Sequence, residues 1–538
     1  MRLVFDPVAA IRKAEKGCDW ILQWIEHNGD VSARLIALLI FTVGLLNASA
    51  TKFWFDEIVT FHLAKLDNFG SMVRAVLNAS DTVPPLFHWL ESWPLRIFPR
   101  AEVGLRILPA AGVATAAASV YFFLRRCCGP LAALVGALFL GVSLALRYAS
   151  EARPYGILLG CCGVAALAWQ RAAGSRAAGW WLAAALGLAA AIHPYTIFVI
   201  AAFAAAEAWR VWTSRTIRWP VVAALALSTL ILLLELPFLL TARREFSLNY
   251  WAPTTLKSFS YALALNFGDL WRLLAPFLAW LGISWILEHD AASGRVPRDQ
   301  HSPGNTTICA MQGRAEACLG VALMAVFPII AFLALKLFRG GMAGRYILPV
   351  TLGAAFLLGL AASRLPRRHA AAILVLLLVL HGVQAASAGR DFIRSMRQHN
   401  SPDLVDQWIH RAYLSAMPIV IADGILFLER WHHTPHEAQK FMYYLTDRAR
   451  AVAATGTDSV DLTLERFSKI VPVNVVPYGQ FLAQAPRFLV LTSNRENAWG
   501  DRDLVRDGCT LVLLDAAGAH RLFSADCGRK MPRADSNP

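Results

Sequence analysis

The sequence predicts an α-helical polytopic membrane protein with a C-terminal extracytoplasmic α/β domain, and three observations carry that prediction. The chain of 538 residues is 57% hydrophobic and only 16% charged, with a mean hydropathy of +0.46, which is too apolar for an ordinary soluble enzyme. It holds about eleven apolar runs, several near the ~20 residues that a spanning helix needs. Beyond Arg390 those runs stop, and shorter helix and strand patterns alternate.

Taken in order, residues 1–32 form a cytoplasmic N-terminal segment. Within it, 7–28 reads as an amphipathic helix lying on the membrane surface through Val8, Ile11, Trp20, Ile21 and Trp24. Ala48-Ser49-Ala50 resembles a signal-peptidase site. The segment before it, with Asp6, Glu15, Asp19, Glu26 and Asp30, is too long and too acidic for a signal sequence.

The membrane domain, 33–389, holds the apolar runs near 33–50, 104–124, 130–148, 155–170, 179–192, 195–209, 220–240, 270–287, 318–337, 346–362 and 370–388. Basic residues collect at the N-terminus (Arg12, Lys13, Lys16) and in alternate gaps (Arg125-Arg126; Arg171 and Arg176; Arg210, Arg215 and Arg218; Arg364, Arg367 and Arg368). These gaps are therefore expected in the cytoplasm, and an odd number of spans puts 390–538 outside. Arg147, Arg153, Arg243, Arg244 and Arg345 lie in the opposite gaps, so the bias is not clean. The polar stretch 289–317 reads as a cytoplasmic loop.

In 390–538, Ser401-Pro402-Asp403 opens a helix through Ala416, and Thr434-Pro435-His436-Glu437 has the form of a capping box for a second, to about Val452. PIVIADG (418–424), RFLVLTSN (487–494) and CTLVLLDAAG (509–518) read as buried strands. The nine cysteines form no C-x-x-C, and the doublets Cys127-Cys128 and Cys161-Cys162 lie in or beside apolar runs. Cys509 and Cys527 fall in the external domain, where a disulfide is expected. His432, His433 and His436 lack a carboxylate or thiol at ligand spacing, and a metal cluster is not expected from them.

The net charge of +14 comes without a basic, aromatic-interleaved segment, so membrane lipid and topology explain it and nucleic acid does not. High Ala and Arg content suggests a bacterium with a GC-rich genome, hence a bacterial inner membrane.

The first external loop, 51–103, raises the functional question. FWFDEIVTFH (53–62) places Asp56 and Glu57 among aromatic and aliphatic side chains, where a carboxylate is costly unless something uses it. Other external loops bring LRYASEARPY (146–155), HPY (193–195), TARREF from 241 and FRGGMAGRYILP (338–349) to the same face. Carboxylates, arginines, histidines and tyrosines so gathered suit an anionic lipid-linked substrate and a proton transfer. The plainer alternative is a belt of interfacial anchors and snorkelling cations.

WFDEIVT, PPLFHWL, GLRILPAAGV (104–113), SEARPY, HPY and GRYILP, in that order, resemble the GT-C glycosyltransferases. More narrowly, they resemble the branch that includes family 39 with the protein O-mannosyltransferases, the lipid A aminoarabinose transferases and the bacterial transferases acting on lipopolysaccharide core sugars. The resemblance covers residues 33 to about 388. It implies a reaction chamber on the outer face, a polyprenyl-phosphate-sugar donor, a cell-envelope glycan or lipid acceptor, and inversion at the anomeric carbon.

The same resemblance implies that Asp56 is the catalytic base, with Glu57 as its neighbour. A partly desolvated Asp beside a second acid would have a raised pKa, suited to accepting the acceptor hydroxyl's proton. The leaving lipid phosphate needs cations, for which Arg153 and Arg345 are the choices and Arg106 is a third candidate or equally a structural anchor. Tyr155, Tyr346, Glu151 and His193 complete the substrate-binding set. Val83 stands before the double proline where relatives often carry His or Lys, and His88 is a possible substitute. No cofactor is required; Asp56, Glu57 and His62 could hold a divalent cation, but their spacing is no metal signature and none is predicted. A lipid-linked saccharide transporter or flippase and a non-catalytic assembly protein are the alternatives, and loss of product on replacing Asp56 would separate them.

Overall fold

The computed structural model describes residues 7–172, 174–246, 249–268, 271–293, 315–398, 403–494 and 498–528. All eleven apolar runs are helical. Among the described residues five helices are long and apolar enough to cross a membrane: Leu22–Ala50, Ala101–Cys128, Thr196–Ser214, Ala315–Leu337 and Arg367–Arg397. Trp219–Leu234 and Leu236–Phe246 form a sixth candidate, bent by 50°. Other runs give shorter helices because the sequence punctuates them. Gly129 (φ 77°) and Pro130 start one helix, and Ser143 breaks into extended backbone and caps Leu144–Tyr148 through its hydroxyl.

The expected surface helix and the first span are one helix, Pro7–Ala50, interrupted only by non-helical torsions at Asn28. The side chains of Val8, Ile11, Trp20 and Ile21 lie outside the described residues, as do 294–314 of the polar loop. Rows of exposed apolar side chains such as Val375, Val379 and Val383, or Leu230 and Leu234, are too extensive for a water-facing surface and mark where lipid covers the bundle.

Helix Ile107–Cys128 sits at the centre, against Pro7–Ala50, Pro130–Val142, Tyr155–Arg171 and Val350–Ala362. Its approach to Tyr155–Arg171 requires glycine. A Cβ on Gly112 would sit 2.3 Å from the Gly156 carbonyl oxygen, and one on Gly160 would sit 2.6 Å from that of Gly112. Such small-residue contacts drive helix packing where no water is displaced. Because Arg106 and Tyr155 stand at the starts of these two helices, the same contact sets the spacing of the site above. Gly160→Val is expected to cost at least about 2 kcal/mol by overpacking, measured as a lower thermal midpoint of the detergent-purified protein.

The C-terminal domain is a six-stranded sheet in the order β3-β2-β1-β4-β6-β5: β1 Ile419–Ile421, β2 Met442–Thr446, β3 Val475–Pro477, β4 Arg487–Ser493, β5 Thr510–Ala517 and β6 His520–Asp526. The first four strands are parallel and β6 and β5 antiparallel. The predicted strands are β1, β4 and β5. β5 is not buried, since it is the sheet edge and exposes Val512, Leu513 and Leu514; an apolar run cannot distinguish an edge from a centre.

The helix expected from 436 to about 452 is three elements. Thr434 Oγ1 donates back to the Arg430 carbonyl at 2.7 Å instead of capping forward, only His436–Gln439 is helical, and MYYLT becomes β2. Tyr-Tyr-Leu-Thr favours the pleated, buried setting between β1 and β3. The helix expected from 401 runs Leu404–Leu414, capped by Asp403, which accepts from Asp406 N at 2.8 Å; residues 401–402 lie outside the described residues. Cys509 and Cys527 are joined by a disulfide that ties the β5–β6 hairpin at its base.

Candidate active site

The acidic segment folds as helix Phe55–Ala64. Trp54 is extended and donates its backbone N–H to Glu57 Oε2 at 3.3 Å, and both acids occupy the first turn, where the helix dipole favours negative charge. Neighbouring helical residues are about 100° apart, so Asp56 and Glu57 face different surroundings.

Glu57 is fully buried. Arg106 Nε donates to its Oε1 at 2.7 Å and Nη2 to its Oε2 at 2.5 Å, while Ala152 N donates at 2.7 Å. Arg106 Nη1 also donates to the carbonyls of Ala48 and Thr51 at 2.6 and 2.8 Å, and Nη2 to that of Lys52 at 3.2 Å. Glu57 and Arg106 are thus committed to each other and to the backbone. Both Glu57 oxygens accept from Arg106 and backbone amides, and the Arg106 fork is taken up by Glu57 and backbone carbonyls, the arrangement of a structural anchor. They tie the acidic helix to the start of the central helix and to the loop carrying Arg153.

Asp56 faces the other way. Arg345 Nη1 lies 3.1 Å from its Oδ2, as a charge contact without hydrogen-bond alignment, and Oδ2 is buried with no hydrogen-bond donor. Glu57, paired with Arg106, faces away from Asp56. The Arg345 guanidinium is ringed by Trp251, Tyr346, Trp54 and Tyr155 at 5.2, 5.6, 5.8 and 5.9 Å. Such a cage stabilises the cation while its Nε stays unpaired.

Arg153 lies beneath. Its Nη1 reaches Asp81 Oδ2 at 3.0 Å, Thr60 Oγ1 at 3.2 Å and the Asp56 carbonyl at 3.3 Å. Burial opposes its charge, but Asp81 and Asp56 outweigh burial and raise its pKa. Burial likewise works against the Asp81 carboxylate, and Arg153 holds its pKa below the usual range. Arg153 is therefore a braced cation with only Nε unpaired, and Arg345 is the more available of the two.

His88 is fully buried behind Asp81, Nε2 to Oδ2 3.5 Å, and burial lowers its pKa to about 4. Both its ring nitrogens are buried without a hydrogen-bond partner. Glu151 accepts from Arg147 Nε at 2.9 Å, its pKa raised by burial against that pairing. His193 packs against Tyr155 and Tyr195 and is pushed down to about 3 by burial and by Arg153 and Arg345. Tyr346 shares a 2.5 Å hydroxyl contact with Tyr250.

Asp81, Trp54, Tyr250 and Trp251 were not singled out as site residues from sequence. Asp81 carried a weak signal, a lone acid in an apolar loop before Pro84-Pro85; the aromatics carried none beyond composition.

Among the described residues no group of three His, Cys, Asp or Glu side chains is arranged to hold a metal ion. Asp56, Glu57 and His62 diverge, and His62 turns to the C-terminal domain, its ring 5.4 Å from His432, which stands 4.9 Å from His433. Burial lowers His62 to about 4 and His432 to about 3, and lowers His433. Lys65, Lys52 and Arg430 add to the lowering and Glu102 opposes it. A histidine depressed in the folded state stabilises above its unfolded value of 6.5, and that stability is lost as pH falls toward 4. The thermal midpoint is expected to fall between pH 6.5 and 4.5, and His62→Phe to flatten that dependence.

Residues 82–240 match the family described as dolichyl-phosphate-mannose-protein mannosyltransferase. No curated protein matches the chain in sequence. Among solved structures, ArnT from Cupriavidus metallidurans in the apo state is similar, at 16% identity over 95% of this chain and 98% of that one, with a TM-score of 0.53. The same protein bound to undecaprenyl phosphate gives 14% identity, 91% and 97% coverage, and 0.49. The Archaeoglobus fulgidus oligosaccharyltransferase in the apo form gives 13%, 88% and 70%, and 0.41. This chain is a multi-pass membrane protein with an ArnT-like fold.

Proposed function

We propose that this protein transfers a sugar from a polyprenyl-phosphate-linked donor to a hydroxyl of a cell-envelope glycan or lipid, with inversion at the anomeric carbon, on the periplasmic face of a bacterial inner membrane. The observation that carries the reading is the Asp56–Arg345 pair: a buried carboxylate oxygen facing a caged cation without a directed hydrogen bond.

An acceptor hydroxyl at Asp56 can give up its proton to Oδ2 as its oxygen attacks C1 of the sugar. Arg345 stabilises the charge developing on the departing phosphate, the Trp and Tyr faces around it line the sugar and lipid path, and Arg153 with Asp81 holds the floor of the site. Asp56 is the catalytic base; Glu57 and Arg106 position it. The mannosyltransferase match and the ArnT-like fold support a lipid-phosphate-linked sugar donor.

The test is mass spectrometry of envelope lipids and glycans from cells lacking the gene, complemented by wild type or by Asp56→Asn. A sugar-sized mass that wild type restores and the variant does not is expected. Restoration by both would overturn the assignment of Asp56. No difference between cells with and without the gene would overturn this acceptor class.

A further inference from the structure

The four rings around Arg345 come from separate stretches of chain, and two of those stretches are held by the C-terminal domain. On one side, Asn249–Thr254 runs along the loop that carries Arg345: Met342 N donates to the Ala252 carbonyl at 2.9 Å and Thr254 Oγ1 to that of Gly340 at 2.7 Å. Tyr250 lies so close over Gly341 that a Cβ there would meet its ring at 2.1 Å. The far side of this strip is bonded to helix Ser459–Phe467 and the turn before it. Thr457 Oγ1 donates to the Asn249 carbonyl at 2.6 Å, and Arg466 Nη2 pairs with Glu245 Oε2 at 2.9 Å. Leu462, fully buried, packs with Phe246 between the two bonds.

On the other side, helix Gly424–His433 lies against the acidic helix, and His433 Nε2 stands 3.3 Å from the Phe53 carbonyl, one residue before Trp54. The apolar core there is shared: Phe55, Ile58 and Val59 with Trp408, Leu426 and Trp431.

We infer that the C-terminal α/β domain is a positioning element of the site: through Thr457 and Arg466 it fixes the strip that carries Tyr250 and Trp251, and through His433 it fixes Trp54, so that it sets the cage in which Arg345 meets a phosphate. The inference rests on the proposed donor for its functional consequence but not for its structural one. A cation–π cage works only while its rings keep their distance from the guanidinium, and residues 249–255, which hold no helix and a single isolated bridge, need outside contacts to keep their position. Thr457 and Arg466 touch no reacting atom; their effect on binding passes through Asn249, Glu245 and the two rings.

Two variants of the full-length protein in detergent test this, Thr457→Val and Arg466→Met, with Arg466→Lys as the conservative control. Hydrogen exchange should quicken at 249–254 and 340–346 in both variants, stay unchanged in 107–128, and return toward wild type in Arg466→Lys. Undecaprenyl phosphate, used as the binding probe, should bind about tenfold more weakly, as expected for one lost hydrogen bond to a charged or buried partner. Wild-type exchange and wild-type binding in both variants would overturn the inference. Altered exchange in variants of a protein that binds no undecaprenyl phosphate even as wild type would instead sink the donor reading and leave the positioning role standing.

Discussion

Asp56→Asn is expected to lower the rate of sugar transfer about 10²–10⁴-fold, the range for a positioned general base, while leaving undecaprenyl phosphate bound at least as well as in wild type. Asparagine matches aspartate in shape but cannot take up the acceptor's proton. It also removes the negative charge 3.1 Å from Arg345 Nη1, so the cation is left without its internal partner and more open to a phosphate. Loss of rate with retained or tighter binding separates a base from a binding residue, because a residue that only bound the donor would lose affinity when replaced. A rate within about threefold of wild type would end the role of Asp56 as base.

Arg106→Met carries the largest expected effect on stability, about 3–5 kcal/mol. It leaves Glu57 fully buried with the Ala152 and Trp54 amides as its remaining partners, and it strips the Ala48, Thr51 and Lys52 carbonyls of their shared donor. Glu57→Gln should cost less, since those carbonyls still satisfy most of the guanidinium. The double variant should fall short of the sum of the two, because each single change leaves the other charge unpaired. Thermal unfolding of the purified proteins measures this. Additive costs would mean that the two side chains act independently and that the acidic helix is held by its apolar contacts alone.

These two neighbours in sequence, Asp56 and Glu57, have opposite surroundings, and the reason is geometric. The sequence shows two acids in an apolar setting, where each carboxylate needs a partner. Which one is paired depends on Arg106, 49 residues away from Glu57, and on a third partner at Ala152, 95 residues away.

By itself, the sequence determined what depends on local composition and period. It specified the apolar runs, which fold mainly as helices, the change to an α/β pattern in the C-terminal part of the chain, and the cysteines that pair across the last hairpin. Apolar length and local spacing suffice for these because lipid and the backbone hydrogen bond act on a few adjacent residues. Only the tertiary structure decided that MYYLT is a strand between β1 and β3, that His88 stands behind Asp81, that Arg106 is consumed by Glu57, and that Trp54, Tyr155, Trp251 and Tyr346 surround Arg345. Each of these is settled by contacts between distant segments, where burial and charge pairing fix which side chain is satisfied and which remains free to react.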